Sequence, residues 1–345
     1  MSLQSEISEQ PDRLAHLLHS QQETVQKIAT AIHKGKIRYV FLAARGTSDN
    51  AGRYANYLWG ALNRLSLALA TPSLFTYYKQ PPILNGALVV GISQSGQSPD
   101  IVSVIEEGRR QGCLTLSITN EPESPLARAA ELVMDIQAGD EKAIAATKTY
   151  TNELMAIAML SVALTGDRTY KSDLEKVSGW AEMVLKQDAP IAGLAERYRY
   201  MRQCVVLGRG FNYCTAFEWA LKLKELTYTV AEPYSSADFQ HGPIAMVEGG
   251  FPILAIAPRG KVQESMMEML GKLRNDHRAE LVVISDDKRA LSLAQSPIQL
   301  PDGMPEWLTP IVGIIPAQLF TYHLTLAKGL SPDQPRTIGK VTETH

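Results

Sequence analysis

Three apolar, strand-like runs occur in the same order in both halves of this 345-residue chain. Val205-Val206-Leu207 leads into Gly208-Arg209-Gly210 as Phe41-Leu42-Ala43 leads into Ala44-Arg45-Gly46. Ile253-Leu254-Ala255-Ile256 stands in the second half where Leu88-Val89-Val90-Gly91 stands in the first, and Leu281–Ser285 where Leu114–Ile118 stands. The steps from Arg45 to Arg209, from Leu88 to Ile253 and from Leu114 to Leu281 are nearly equal. Three ordered matches at a nearly constant offset imply duplication of a unit of about 130 residues. In the first half, Tyr39–Ala43, Ala87–Ile92 and Leu114–Ile118 read as buried strands. They alternate with helical stretches at Asn50–Leu62, Pro99–Gln111 and Thr147–Leu164. Strand–helix alternation of this kind predicts an α/β fold with a parallel sheet and right-handed crossovers.

The chain then divides into an N-terminal helix (1–34), a first domain (35–165), a helical linker (166–196), a second domain (197–328) and a C-terminal tail (329–345). Leu14, Leu17, Leu18, Val25, Ile28 and Ile32 give residues 13–33 the spacing of one amphipathic helix. Gly329, Pro332 and Pro335 forbid a helix in the tail. The formal net charge of −2, with no basic stripe, argues against a nucleic-acid partner. The longest apolar-rich segment is read as Leu154–Leu164, too short for a bilayer, and Met1–Asp12 lacks the apolar stretch of a signal peptide. Cys113, Cys204 and Cys214 show no metal-ligand spacing and read as reduced, buried thiols. A soluble, cytoplasmic protein with no membrane partner is expected.

Chemistry concentrates in a few polar turns. Ser93-Gln94-Ser95-Gly96-Gln97-Ser98-Pro99 follows a strand and opens a helix, with Ser98 at the N-cap and Pro99 at the first helical position. A helix N-terminus presents unpaired N–H groups and a positive dipole end. A single Ser-Gly turn is most simply a cap, but three serines around one glycine point to a phosphate cradle. Gly46-Thr47-Ser48-Asp49-Asn50 is a second such turn, with Ser48 or Asp49 as its expected cap, and both belong at the carboxyl edge of the sheet. Glu218, Lys222 and Glu225 fall on one helix face, which alone reads as a solvated salt-bridge row. The polar loop Glu232–Pro243 carries His241 before Gly242-Pro243, in exposed backbone where function concentrates.

Together these residues resemble the sugar isomerase (SIS) family. The likeness is carried by Gly46-Thr47-Ser48, Ser93-Gln94-Ser95-Gly96, Lys222-Leu223-Lys224-Glu225, Ala231-Glu232, His241-Gly242-Pro243 and Asp333-Gln334-Pro335-Arg336 with Lys340. It is strongest to the isomerase half of glucosamine-6-phosphate synthase and to SIS-type glucosamine-6-phosphate deaminases. The resemblance implies two tandem SIS domains, each a parallel five-stranded sheet flanked by helices in a flavodoxin-like three-layer sandwich. It assigns Ser93, Gln94, Ser95 and Ser98 to the phosphate, and Thr47 and Ser48 to the sugar. Glu225 would move a proton between C1 and C2, His241 would open the ring, Lys222 would balance charge, and Lys340 would lie at the reactive end. It also implies a homodimer in which the His241 loop enters the neighbour's site. Two departures stand out: the synthase has cysteine where this chain has Arg45, and serine where it has Ala145-Ala146.

The expected chemistry needs neither metal nor cofactor. Histidine suits ring opening near neutral pH. A carboxylate beside a cation suits removal of the C2 proton and its return at C1. The resulting C2 imine hydrolyses to fructose 6-phosphate and ammonia. With no room for a glutaminase domain before Tyr39, deamination of glucosamine 6-phosphate is the expected direction. Fructosamine-6-phosphate deglycase and galactosamine-6-phosphate deaminase are alternatives. A non-catalytic sugar-phosphate regulator is a third, although the segment before Tyr39 is too short and too singly helical for a helix-turn-helix domain.

Overall fold

The computed structural model describes residues 2–340, so Met1 of the expected N-terminal helix and residues 341–345 of the expected tail lie outside the described residues. The chain divides into two compact units. One contains Glu9–Lys142, Lys148–Lys176 and the chain from Gly339; the other contains the first residues through Ser8, Ala143–Thr147 and Val177–Ile338.

The first unit is built on β1 (Tyr39–Ala43), β2 (Ser66–Leu69), β3 (Ala87–Ile92), β4 (Leu114–Thr119) and β5 (Leu132–Asp135), all parallel, in the order β2-β1-β3-β4-β5. The second is built on β6 (Gln203–Gly208), β7 (Val230–Ser235), β8 (Pro252–Ile256), β9 (Glu280–Ser285) and β10 (Ser296–Gln299). These are also parallel, in the matching order β7-β6-β8-β9-β10. The central strands β3 and β8 are buried along their whole length, as parallel strands covered on both faces must be. The duplication expected from the strand spacing is thus a repeat of topology.

In the first unit the helix Lys148–Thr165 is buried on every side from Lys148 to Val162, with Gln10–Ser20, Gln22–Lys34 and Gly46–Asn63 packed on it. Its counterpart in the second unit is Thr309–Ala327, packed by Leu3–Ser8, Val177–Leu185, Asp188–Arg197 and Tyr213–Lys222. This segment corrects the reading of Leu154–Leu164 as the longest apolar stretch. Glu306–Ala327 is long and apolar enough to cross a bilayer by length and composition, and 78% of its apolar window is buried in the protein.

Two further expectations are revised, and the helical linker gains detail. The single helix over 13–33 is two helices, Gln10–Ser20 and Gln22–Lys34, after a separate Leu3–Ser8. The break at Gln21 (φ −106°, ψ 11°) is one residue long, so the apolar stripe stays in phase across it and periodicity does not register it. The linker is three short helices, Arg168–Leu174, Val177–Leu185 and Asp188–Arg197. Finally, Glu232–Ser235 is not loop but part of the edge strand β7, where Pro233 is tolerated because an edge strand has one side without a ladder partner.

Candidate active site

The first unit presents two polar turns side by side. β1 and β3 are parallel neighbours with Ala43 opposite Gly91, so the turns that follow them emerge at the same carboxyl edge.

The turn after β3 is held open by its own serines. Ser93 Oγ accepts from the Gly96 N–H at 3.1 Å, and Ser95 Oγ accepts from the Gln97 N–H at 3.4 Å. Thr119 Oγ1 and the Asn120 N–H, at the end of β4, both donate to the Gln94 carbonyl. Gly96 has φ +61°, and a Cβ there would collide with the Ser124 hydroxyl, so only glycine fits. Ser98 is the N-cap of Pro99–Arg110 with Pro99 behind it, as expected, but its hydroxyl does not cap the helix. Among the described residues, the amide N–H groups of Ser95 and Ser98 and the Ser98 hydroxyl meet no partner. Unpaired donors converging on a helix N-terminus are what an anion requires.

The turn after β1 differs from expectation. The helix begins at Gly46 with Arg45 as N-cap, so Ser48 and Asp49 lie in its first turn instead of capping it. Ser48 is buried and donates to the buried Glu153 Oε1 at 2.8 Å. Thr47 is half-buried. Asp49 pairs with Arg53 at 3.0 Å; burial raises its pKa against the opposing pull of Arg53 and Arg45. Arg45 itself reaches across to the other turn, its Nε 2.8 Å from Oδ2 of the buried Asp100.

Lys340 also belongs to the first unit. Its Nζ lies 2.7 Å from Oε2 of the buried Glu141, which further accepts from the amide and hydroxyl of Thr149.

The second unit holds the residues expected to act as acid and base. Helix Tyr213–Lys222 passes directly into a π-helical turn, Leu223–Thr227, a rare local widening common at functional positions. Lys222 is 2% exposed and Glu218 is fully buried, so the expected solvated row is a buried one. Lys222 Nζ lies 2.6 Å from Glu225 Oε2 and 3.4 Å from Glu218 Oε1. Burial opposes the ammonium charge, but the two carboxylates outweigh it and hold the lysine pKa above its ordinary value. Glu225 is half-buried. His241 is exposed, with its backbone N–H donating to the Asp238 carbonyl.

Two SIS domain matches cover residues 35–163 and 198–328. The chain belongs to the SIS domain family. This SIS chain is 34% identical over 345 residues to the glutamine–fructose-6-phosphate aminotransferase (isomerizing) of Thermococcus kodakarensis, covering 97% of this chain and 56% of that relative. It therefore spans about half the length of the curated relatives it matches. Among solved structures it resembles the C-terminal domain of glucosamine-fructose-6-phosphate aminotransferase from Francisella tularensis, at TM-score 0.87 and 27% identity, covering 96% of this chain and 98% of that one. Glucosamine-6-phosphate deaminase from Thermotoga maritima shares the fold at TM-score 0.79 and 21% identity over all of both chains.

Sequence reasoning did not foresee Asp100, Glu153 and Glu141 as partners of Arg45, Ser48 and Lys340. Each partner lies 55 or more residues away. For Asp100 a signal existed in its position as an acid in the first turn of the helix that follows the serines.

Proposed function

We propose that this SIS chain converts glucosamine 6-phosphate and water to fructose 6-phosphate and ammonia. The observation that carries this reading is the 2.6 Å Lys222–Glu225 pair where the helix passes into a π-helical turn: a carboxylate oriented by a buried ammonium whose charge two carboxylates favour. The serine turn supports it, because unpaired N–H and O–H donors at a helix N-terminus suit a phosphomonoester.

In this mechanism the amides of Ser95 and Ser98, with the hydroxyls of Ser93, Ser95 and Ser98 and the Gln94 side chain, take the phosphate. Thr47 and Ser48 orient the sugar, Ser48 being fixed by Glu153. His241 passes the ring-opening proton between O5 and O1. Glu225 removes the C2 proton and delivers it to C1 while a second proton passes from the C2 amine to O1, turning the open aldehyde with its C2 amine into a C1 alcohol with a C2 imine. Water adds to the imine carbon and ammonia leaves. Lys222 holds the Glu225 carboxylate throughout, and Lys340 acts at the C1 end of the substrate.

All three cysteines are buried, and burial pushes the Cys204 thiol up to about 12. Reduced buried thiols fit a cytoplasmic setting. The reading includes a homodimer in which the exposed His241 loop serves the partner's site.

The test is release of ammonia and fructose 6-phosphate from glucosamine 6-phosphate by wild type and Glu225→Gln. The reading expects stoichiometric products from the wild type and a 10²- to 10⁴-fold loss in the variant. No ammonia from wild type would overturn it; N-substituted fructosamine 6-phosphates and galactosamine 6-phosphate, run alongside, identify the alternatives.

A further inference from the structure

Arg45 follows β1, the parallel neighbour of the strand that leads into the serine turn. Its Nε is 2.8 Å from Asp100 Oδ2, and Asp100 is fully buried in the first turn of Pro99–Arg110, two residues beyond Ser98. That contact ties the guanidinium to the first turn of the helix that Ser98 opens. The Arg45 side chain is nevertheless 49% exposed, and among the described residues its two terminal amino groups have no partner. The neighbouring acid, Asp49, is bonded to Arg53.

The charge balance of the turn calls for such a group. Residues 93–98 contain no lysine or arginine. The Asp100 carboxylate suits the positive end of its own helix but repels a dianion bound at the same end. A guanidinium on Asp100 cancels that repulsion, and its remaining N–H groups are those that pair with phosphate oxygens in a planar, bidentate manner.

We propose that Arg45 is a phosphate-binding residue of this site, anchored by Asp100 and donating its terminal N–H groups to the phosphomonoester dianion of the substrate. The inference rests on the reading of the serine turn as the phosphate site. It makes the chain a selective binder of doubly charged phosphate esters.

The test is calorimetric titration of inorganic phosphate into the full-length protein, which needs no turnover. Wild type should bind, more tightly at pH 8 than at pH 5.5 as phosphate becomes a dianion. Arg45→Gln, which can still hydrogen-bond Asp100, should lose ten- to hundredfold in affinity and show a flattened pH dependence. Arg45→Lys retains a cation against Asp100 and should fall between the two; it serves as the folding control, along with the ligand-free melting temperature of each variant. Wild-type binding that survives unchanged in both variants, with unchanged pH dependence, would overturn the role of Arg45. Absence of phosphate binding by wild type would instead overturn the phosphate site itself.

Discussion

The turn after β3 and the turn after β8 occupy the same place in two sheets of the same topology, yet they are filled in opposite ways. After β3, three serines surround Gly96 and leave donors without partners. After β8, the protein's own carboxylates take that role. The Arg259 N–H donates to Asp286 at 2.7 Å, and the Lys261 N–H donates to Glu306 Oε2 at 2.7 Å. A Cβ on Gly260 would collide with the Glu306 carboxylate. Asp287 is tied down by Gln263 at 2.6 Å and by the Arg289 N–H at 2.7 Å. Duplication therefore supplied two turns after equivalent strands, one bridged by the protein's own carboxylates and one whose Ser95 and Ser98 amides meet no partner among the described residues. The second repeat contributes instead the Glu218–Lys222–Glu225 group, with Glu218 and Lys222 buried on the helix and the half-buried Glu225 on the π-turn that follows.

The largest effect is expected where the second repeat is specialised. Lys222→Met removes the cation that two carboxylates share, one of them fully buried, so about 3–5 kcal/mol of stability should be lost in denaturant unfolding. Ammonia release should fall at least a hundredfold.

The two glycines sharpen the contrast between the turns. Gly96→Ala forces a left-handed alanine against Ser124, a short buried side chain that caps the next helix and has nowhere to go. The cost should be about 2–4 kcal/mol in melting experiments, with sugar-phosphate binding abolished. Gly260→Ala meets the end of the Glu306 side chain, which can swing aside, so catalysis should persist at wild-type rates. Equal damage from the two substitutions would break the contrast.

Ser98→Ala removes a hydroxyl that does nothing for its own helix. It should leave stability unchanged within about 0.5 kcal/mol and raise the KM about tenfold, as loss of one hydrogen bond to a charged group does.

The smallest effect concerns acid stability in the second repeat. Burial would raise the Asp287 pKa, but hydrogen bonds from Gln263, the Arg289 N–H and the Arg259 guanidinium, together with the Arg289 charge, bring it down to about 2 from an ordinary 3.8. A folded-state pKa below the unfolded value means stability that is present above pH 4 and lost as the pH falls toward 2. Asp287→Asn should cost about 1 kcal/mol at pH 7, and the gap from wild type should close between pH 4 and pH 2.

How much of this is legible in the sequence depends on whether the signal is local. The buried strands β1, β3, β4, β6, β8 and β9 announce themselves as apolar runs. The edge strands do not: β2 is four half-exposed residues, and β7 carries Glu232 and Pro233 and reads as loop. Thr309–Ala327 is apolar on every face, so it offers no helical phase to detect. The serine turn is visible because its residues are consecutive. The pairs Arg45–Asp100, Ser48–Glu153 and Lys340–Glu141 are not, because only the fold brings them together. The π-turn is equally hidden, since placing Glu225 at i+7 assumes a regular helix that ends at Lys222.

The most direct test of the contrast between the repeats is the number of phosphate sites per chain. Titration of glucosamine 6-phosphate into the Glu225→Gln protein, which binds without turning over, should give one site per chain. That site should vanish when Ser95→Ala and Ser98→Ala are combined and persist in Gly260→Ala. Two sites per chain, or one that survives the serine substitutions and disappears with Gly260→Ala, would contradict the assignment of the ligand to the first repeat.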